Sequence, residues 1–281
     1  MSTATTIEWT EVTWNPTSGC DRISPGCDHC YALRLAKRLK AMGQPKYQTD
    51  GDPRTSGPGF GVAVHREALL EPLRWRKPRM CFVDSMADLM HARVPATFLA
   101  QVWAVMALTP QHTYQVLTKR PKRYGHLSGS HFRGLAQEHA RRLAPGREVG
   151  TWPLPNVWLG TSIESDDYVV RADHLRAAPA AIRFLSLEPL LGPLPSLDLT
   201  GIDWVIVGGE SGPTARPMDL AWARDLLLQC RRAGVPAFVK QLGAAWARAS
   251  GPGDPKGADW AQWPADLRVR QFPHGSGKEV A

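Results

Sequence analysis

Apolar residues along this chain gather into short, nearly continuous runs. The strand-like runs are GVAVH from Gly61, MCFVDS from Met80, YQVLT from Tyr114, VWLGTSI from Val157, IRFLSLE from Ile182, WVIVG from Trp204 and AFVKQ from Ala237. Several consist almost wholly of Val, Ile, Leu and Phe, the composition of strands buried on both faces. Helix-like segments lie between many of them. Residues 95–107 open on a proline, and residues 220–233 close on Arg231 and Arg232 before a stop at Gly234. Strand alternating with helix predicts parallel β/α units. With a further short strand over 13–15, about eight strands are expected. The fold class is therefore α/β, a single TIM-like β/α barrel of mainly parallel strands, either closed or open and partial.

The barrel is assigned to residues 1–245. Residues 246–281 are expected to form a C-terminal extension that packs back on it, because WAQWPADLRVRQFP (260–273) is too apolar for a free tail. The last residues, 275–281, are expected to fray. The stretches 125–130 and 247–258, rich in small residues, Gly, Pro and Ser, read as connections.

Polar residues collect where the apolar runs end. They are Asp84, Ser85 and Asp88; Thr118, Lys119 and Arg120; Thr161, Ser162 and Glu164; Glu188; Glu210 and Ser211; Lys240 and Gln241. In a β/α barrel those ends converge on the face that carries the active site. Lys119 and Arg120 suit a carboxylate or phosphate, since a guanidinium grips such groups with two donors. Glu188 suits a ribose hydroxyl or an ammonium, or alternatively a salt bridge to Lys240 or Arg120. Lys240 would bring a cation into the pocket, with Glu188 or Glu210 as its partner. Asp84, Ser85 and Asp88 either line the mouth or cap the following helix. Lys240, Glu188 and Asp84 are the catalytic candidates.

Three of the five cysteines fall in the segment TWNPTSGCDRISPGCDHCYA, as Cys20, Cys27 and Cys30 in a Cys-x6-Cys-x2-Cys spacing. The N-terminus has neither a basic region nor an apolar core of a secretory signal, and no run nears the roughly 18 apolar residues of a membrane span. A cytoplasmic location is expected, where disulfides are rare, so the loop reads as a metal or redox site. Soft thiolates suit zinc, with His29, His65 or His91 as a fourth ligand, or a [4Fe–4S] cluster with one iron left open. Cys81 and Cys230 read as small core residues.

A three-cysteine loop after the first strand of a β/α barrel resembles the radical S-adenosylmethionine (SAM) enzymes. GGES at Gly208–Ser211 looks like the GGE element of that superfamily. The resemblance implies a [4Fe–4S] cluster on Cys20, Cys27 and Cys30 whose open iron chelates SAM, and reductive cleavage to a deoxyadenosyl radical. It places Gly208, Gly209, Glu210, Ser162, Glu164, Lys119 and Arg120 around the cofactor, and it implies a reducing partner such as flavodoxin or ferredoxin. The sequence departs twice, since the superfamily's first cysteine gap is three and its GGE follows the second strand. The segments TWNP, RWRKPR, DSMADL, LTKRP, NVWLGTS, LEPLLG, WVIVGGESG and VKQLG, in this order, resemble the phage gene-product 37/gene-product 68 family, a domain of unknown function.

The formal net charge of +8 adds a nucleic acid or nucleotide as a candidate substrate class. Two rival functions follow from the same residues. One is a zinc-stapled nucleic-acid-binding protein without redox chemistry. The other is a metal-dependent hydrolase whose strand-end carboxylates hold a divalent ion.

Overall fold

The computed structural model describes residues 5–251 and 253–273. Among the described residues seven strands form one sheet. They are β1 (Val12–Trp14), β4 (Met80–Val83), β5 (Thr113–Thr118), β6 (Val157–Ser162), β7 (Ile182–Leu187), β8 (Trp204–Gly208) and β9 (Ala237–Gln241), hydrogen-bonded in that order. β1–β4, β4–β5, β7–β8 and β8–β9 all pair in parallel. This is the open, partial form of the expected β/α architecture, with β1 and β9 at its two ends.

The remaining strand pair is separate. β2 (Thr17–Ser18) and β3 (Ala63–Val64) form a two-residue antiparallel ribbon. The run GVAVH therefore does not supply a strand to the main sheet. Both residues of β3 are half exposed, whereas every residue of β4, β6 and β8 is buried. Gly61 also lies against the backbone of Gly19, where a Cβ would meet Gly61 O at 2.2 Å. A chain held that closely to a loop has no room to pair with a central strand.

The helices are α1 (Tyr31–Ala41), α2 (Arg66–Leu69), α3 (Ala96–Leu108), α4 (Ser130–Leu143), α5 (Val170–Arg176), α6 (Leu220–Ala233) and α7 (Ala244–Ser250). α6 shows why its sequence is helical. Asp219 caps its start by accepting from the Ala221 N–H, and Gly234 ends it in the left-handed conformation at φ 67°. α7 corrects one expected connection, since AAWARAS is rich in the best helix former. Residues 125–130 are likewise not a plain connection. A 3₁₀ helix started by Pro121 runs to Ser128, and α4 begins at Ser130.

The chain divides into two compact units, with the division falling inside β6. The first comprises Met1–Ile23, Ala32–Gly160 and Ala177–Ala181. Its core is built on β1, β4 and β5 with α3, nine of whose residues are buried. Trp14 is fully buried there, with its indole N–H donating to the Ala68 carbonyl at 2.8 Å. Trp103 of α3 meets Phe132 of α4 edge to face at 5.8 Å.

The second unit comprises Ser24–Tyr31, Thr161–Arg176 and Ile182–Ala281. Trp204, Phe238 and Phe272 cluster in its core, with ring centroids 5.4–6.0 Å apart. Residues 269–271 run beside β9, where the Val239 N–H donates to the Val269 carbonyl at 2.8 Å. Trp263 and Leu267 are buried. The expected frayed end, 275–281, lies outside the described residues. Among the described residues no helix is long and apolar enough to cross a membrane.

Candidate functional site

Among the described residues none of the five cysteines forms a disulfide; Cys20, Cys27 and Cys30 are half buried, while Cys81 and Cys230 are buried. Burial pushes the Cys230 thiol up to about 12 and that of Cys81 well above its usual range, which leaves both inert. Three accessible soft donors on one loop fit an iron–sulfur cluster or zinc by their chemistry. Among the described residues no three His, Cys, Asp or Glu side chains are gathered as a metal-binding group.

In the first unit, the strand-end residues organise around Cys20. The Arg120 guanidinium donates to Cys20 Sγ at 3.2 Å, to Asp88 Oδ2 at 2.9 Å and to the Asp21 carbonyl at 2.8 Å. Asp88 is buried and also accepts from Thr118 Oγ1 at 2.6 Å and from the Met90 N–H at 3.0 Å. Asp88 thus both caps the segment after β4 and fixes Arg120. Lys119 donates its backbone N–H to Asp88 Oδ2 at 3.4 Å.

Asp21 was not singled out from sequence. Its carboxylate accepts from Thr55, Ser56 and Arg93 and lies 2.9 Å from His91 Nε2. Burial alone would raise it, but these hydrogen bonds outweigh burial and hold it at about 2. Its place directly after Cys20 was the available signal. His91 and His65 each have such a neighbour, since His65 Nε2 lies 2.9 Å from Ser18 Oγ.

Asp84 has a different task. It adopts a left-handed backbone at φ 59°, with both oxygens on Thr17, 3.1 Å from its N–H and 2.6 Å from its hydroxyl. Burial raises its carboxyl to about 7. Ser85 donates to Asn15 Oδ1 at 3.1 Å.

In the second unit, the Ser24–Tyr31 turn meets strand-end carboxylates. The Gly26 N–H donates to Glu164 Oε1 at 3.3 Å, and the buried Arg171 donates to Glu164 Oε2 at 2.8 Å and to the Ser162 carbonyl at 2.9 Å. His29 Nδ1 lies 2.9 Å from Glu210 Oε2. Arg216 grips both oxygens of Glu210 and donates to the Pro25 carbonyl at 2.9 Å. Burial would raise Glu210, but Arg216 and His29 bring it below the usual carboxylate range.

The two glycines before Glu210 have packing reasons of their own. A Cβ on Gly208 would meet Glu188 at 3.3 Å, and one on Gly209 would meet the Leu242 carbonyl at 2.4 Å. Lys240 donates to Glu188 Oε1 at 2.7 Å, which is the salt bridge weighed as the alternative for Glu188. Gln241 donates to the same oxygen at 3.2 Å. Both members of that ion pair keep nearly a fifth of their side-chain surface exposed, at 18% and 19%. Arg171 and Arg216 escaped the sequence reading. Arg216 lies only six residues beyond Glu210, in the loop SGPTARP.

Two solved structures are similar to this chain. A doubly substituted spore photoproduct lyase with bound AdoMet and dinucleoside spore photoproduct has 10% identity and a TM-score of 0.42, over 73% of this chain and 58% of its own. A spore photoproduct lyase complexed with dinucleoside spore photoproduct has 10% identity and a TM-score of 0.40, over 75% and 58%. The chain thus spans a little over half the length of the solved structures it matches. No curated protein matches the sequence. The family model described as protein of unknown function (DUF5131) matches residues 4–274, and the chain belongs to that family.

Proposed function

We propose that this chain is a cytoplasmic radical-SAM-like iron–sulfur enzyme, with Cys20, Cys27 and Cys30 holding a [4Fe–4S] cluster. The observation that carries the reading is the division among the cysteines. Three half-buried thiols share the loop that follows β1, while the other two are buried and inert. Ligand sites in parallel α/β sheets lie beyond the carboxyl ends of the strands, which is where this loop begins. A bound cluster would supply the electron that cleaves SAM.

The chain's own residues would orient and balance charge. Arg120, beside Cys20, offsets thiolate charge on the loop. Lys119 and Arg120 would take the carboxylate of SAM, and Ser162, Glu164, Gly208, Gly209 and Glu210 would complete the cofactor surroundings. The Lys240–Glu188 pair is the catalytic candidate, because it sits at strand ends and stays partly open to a ligand. Asp84 is a weaker one, since Thr17 takes both its oxygens. The charge of +8 and the resemblance to a phage gene-product family point to a nucleotide or nucleic-acid substrate, with a flavodoxin or ferredoxin as reductant.

The test is anaerobic purification, with iron, sulfide and zinc analysis and an absorption spectrum, beside a Cys20→Ala, Cys27→Ala, Cys30→Ala variant. A broad band near roughly 400 nm and about four irons, both lost in the variant, are expected. SAM cleavage under reduction is the next readout. Stoichiometric zinc that survives iron–sulfide reconstitution would overturn the reading and leave the zinc-stapled protein in its place.

A further inference from the structure

The Ser24–Tyr31 turn carries two of the three loop cysteines yet has almost nothing apolar to hold it. Of its residues only Gly26 is buried, and Pro25, Asp28 and Tyr31 are exposed. Its internal order consists of short backbone hydrogen bonds. The Cys27 N–H donates to Ser24 O at 2.8 Å, Asp28 N–H to Pro25 O at 3.1 Å and Cys30 N–H to Cys27 O at 3.2 Å. Isolated turns of this kind are marginal in water, because nucleation fixes several dihedrals for each bond gained.

The turn is seated by polar contacts: Glu164 accepts from its Gly26 N–H, and the others described here come from residues after β8. Arg216 donates to the Pro25 carbonyl at 2.9 Å, and another of its nitrogens lies 3.8 Å from the Asp28 carboxylate. Glu210 reaches the turn through His29 Nδ1 at 2.9 Å. The contacts at Pro25, Asp28 and His29 lie on both sides of Cys27 and run up to the residue before Cys30. Arg216 and Glu210 also fix each other, through the Arg216 N–H at 2.8 Å and the guanidinium on both carboxylate oxygens. Glu210 is only 5% exposed, so its charge depends on that guanidinium. A planar fork with several donors can hold a carboxylate and a carbonyl together, which a single ammonium does less well.

We propose that Arg216 and Glu210 form a clasp that seats the Ser24–Tyr31 turn, which makes Arg216 a positioning residue for Cys27 and Cys30. Glu210 then takes its part in the cofactor surroundings through the turn it holds, with both carboxylate oxygens engaged by Arg216. The seating stands on the contacts above, and its use in holding a metal rests on the proposed function.

The experiment measures hydrogen exchange of the 24–31 turn in the full chain, for Arg216→Met, Arg216→Lys and Glu210→Gln. The rate at which bound metal passes to a chelator is measured alongside. Exchange of 24–31 should quicken about tenfold in Arg216→Met, less in Glu210→Gln, and be partly restored in Arg216→Lys. Residues 20–23, held by other partners, and the amides of β4 and β8 should keep the parent rates. Metal release should quicken in the same order.

Exchange of 24–31 within twofold of the parent in all three variants would overturn the clasp. So would an equal rise throughout the chain in Arg216→Lys, the variant that keeps the charge if Arg216→Met fails to fold. The two proposals fail separately. A chain that binds no iron but shows the expected exchange pattern keeps the clasp and loses the cluster. Iron binding with unchanged exchange does the reverse.

Discussion

The cysteine loop is held in opposite ways along its two halves. Over residues 20–23 the loop supplies the charge. Asp21 projects its carboxylate to Thr55, Ser56, His91 and Arg93, and Arg22 donates to the carbonyls of Arg54 and Thr55. Over Ser24–Tyr31 the loop supplies backbone, one imidazole and the exposed Asp28 carboxylate, and the buried carboxylates come from Glu164 and Glu210. The Asp21 carboxylate keeps 23% of its side-chain surface in contact with water and that of Asp28 53%, whereas Glu164 has none and Glu210 has 5%. Charge supplied by the body of the protein must be buried and so needs a permanent cation beside it. Charge supplied by the loop stays partly wet, and Asp21 is matched by two hydroxyls, His91 and a half-exposed Arg93 rather than by a buried cation. The second half therefore depends on buried ion pairs, and that is where single substitutions should do most damage.

The harshest way to break the contrast is Glu164→Ala. The Arg171 side chain is 8% exposed and would be left as an uncompensated buried cation. Losing one partner of a buried pair typically costs about 3–5 kcal/mol. Denaturant unfolding should register a loss of that size, together with loosening of the Gly26 amide. In the first half, Asp21→Asn should cost about 1 kcal/mol, since Arg93 is half exposed and the amide oxygen of asparagine can still accept. Equal losses from the two substitutions would erase the distinction between the halves.

A second test sharpens the picture on the approach to Cys20. Asp84 ties Thr17 to the end of β4, and burial raises its carboxyl from 3.8 to about 7. Between those values the folded chain keeps a proton that the unfolded chain has lost. Its contribution to stability is therefore full below about pH 4 and declines as the pH rises towards 7. The full shift bounds the effect at about 4 kcal/mol. Asp88 raises the carboxyl and Lys46 lowers it, so both neighbours stay in place for the comparison. His65, His91, His112 and His139 have lowered values and favour the fold as the pH rises, so the effect of Asp84 is read as a difference. Urea unfolding at pH 5 and pH 8 should show Asp84→Asn changing in favour of the fold relative to the parent at the higher pH. Equal changes in parent and Asp84→Asn would assign the pH dependence to other groups.

The strands were legible because a parallel sheet buried on both faces leaves an apolar run with a polar end, as in β8 with its five buried residues and Glu210 just beyond. GVAVH has the same composition but was drawn aside by close contact between two loops, which no pattern along the chain reveals. The candidate site was legible to the same depth. Cys20, Glu164, Glu188 and Lys240 stand out by residue type and strand position. Arg216 and Arg171 do not, because each acts by meeting a carboxylate brought to it by the fold. Glu210 was legible as a strand-end carboxylate, but its partner was not, since an arginine in a Gly- and Pro-containing loop reads as an ordinary surface charge.

The smallest effect belongs to Gly26→Ala, and it separates seating from stability. Gly26 does not have a positive φ, so alanine is allowed there by the backbone. A Cβ at this position would stand 3.0 Å from Glu164 Cδ and 3.3 Å from its Cβ and Cγ. Glu164 cannot swing away without leaving Arg171, so the turn has to yield. That crowding costs about 1 kcal/mol, while replacing glycine removes freedom from the unfolded chain and returns about 0.4–1 kcal/mol. The two terms nearly cancel, and global stability should change by less than about 0.5 kcal/mol. Hydrogen exchange at Gly26 and Cys27 should nonetheless quicken severalfold, because only the folded turn bears the crowding. Arg22→Ala, on the exposed first half, should leave those same amides unchanged. If Gly26→Ala instead left exchange at 26 and 27 untouched, Glu164 would be free to move, and the second half would be held no more firmly than the first.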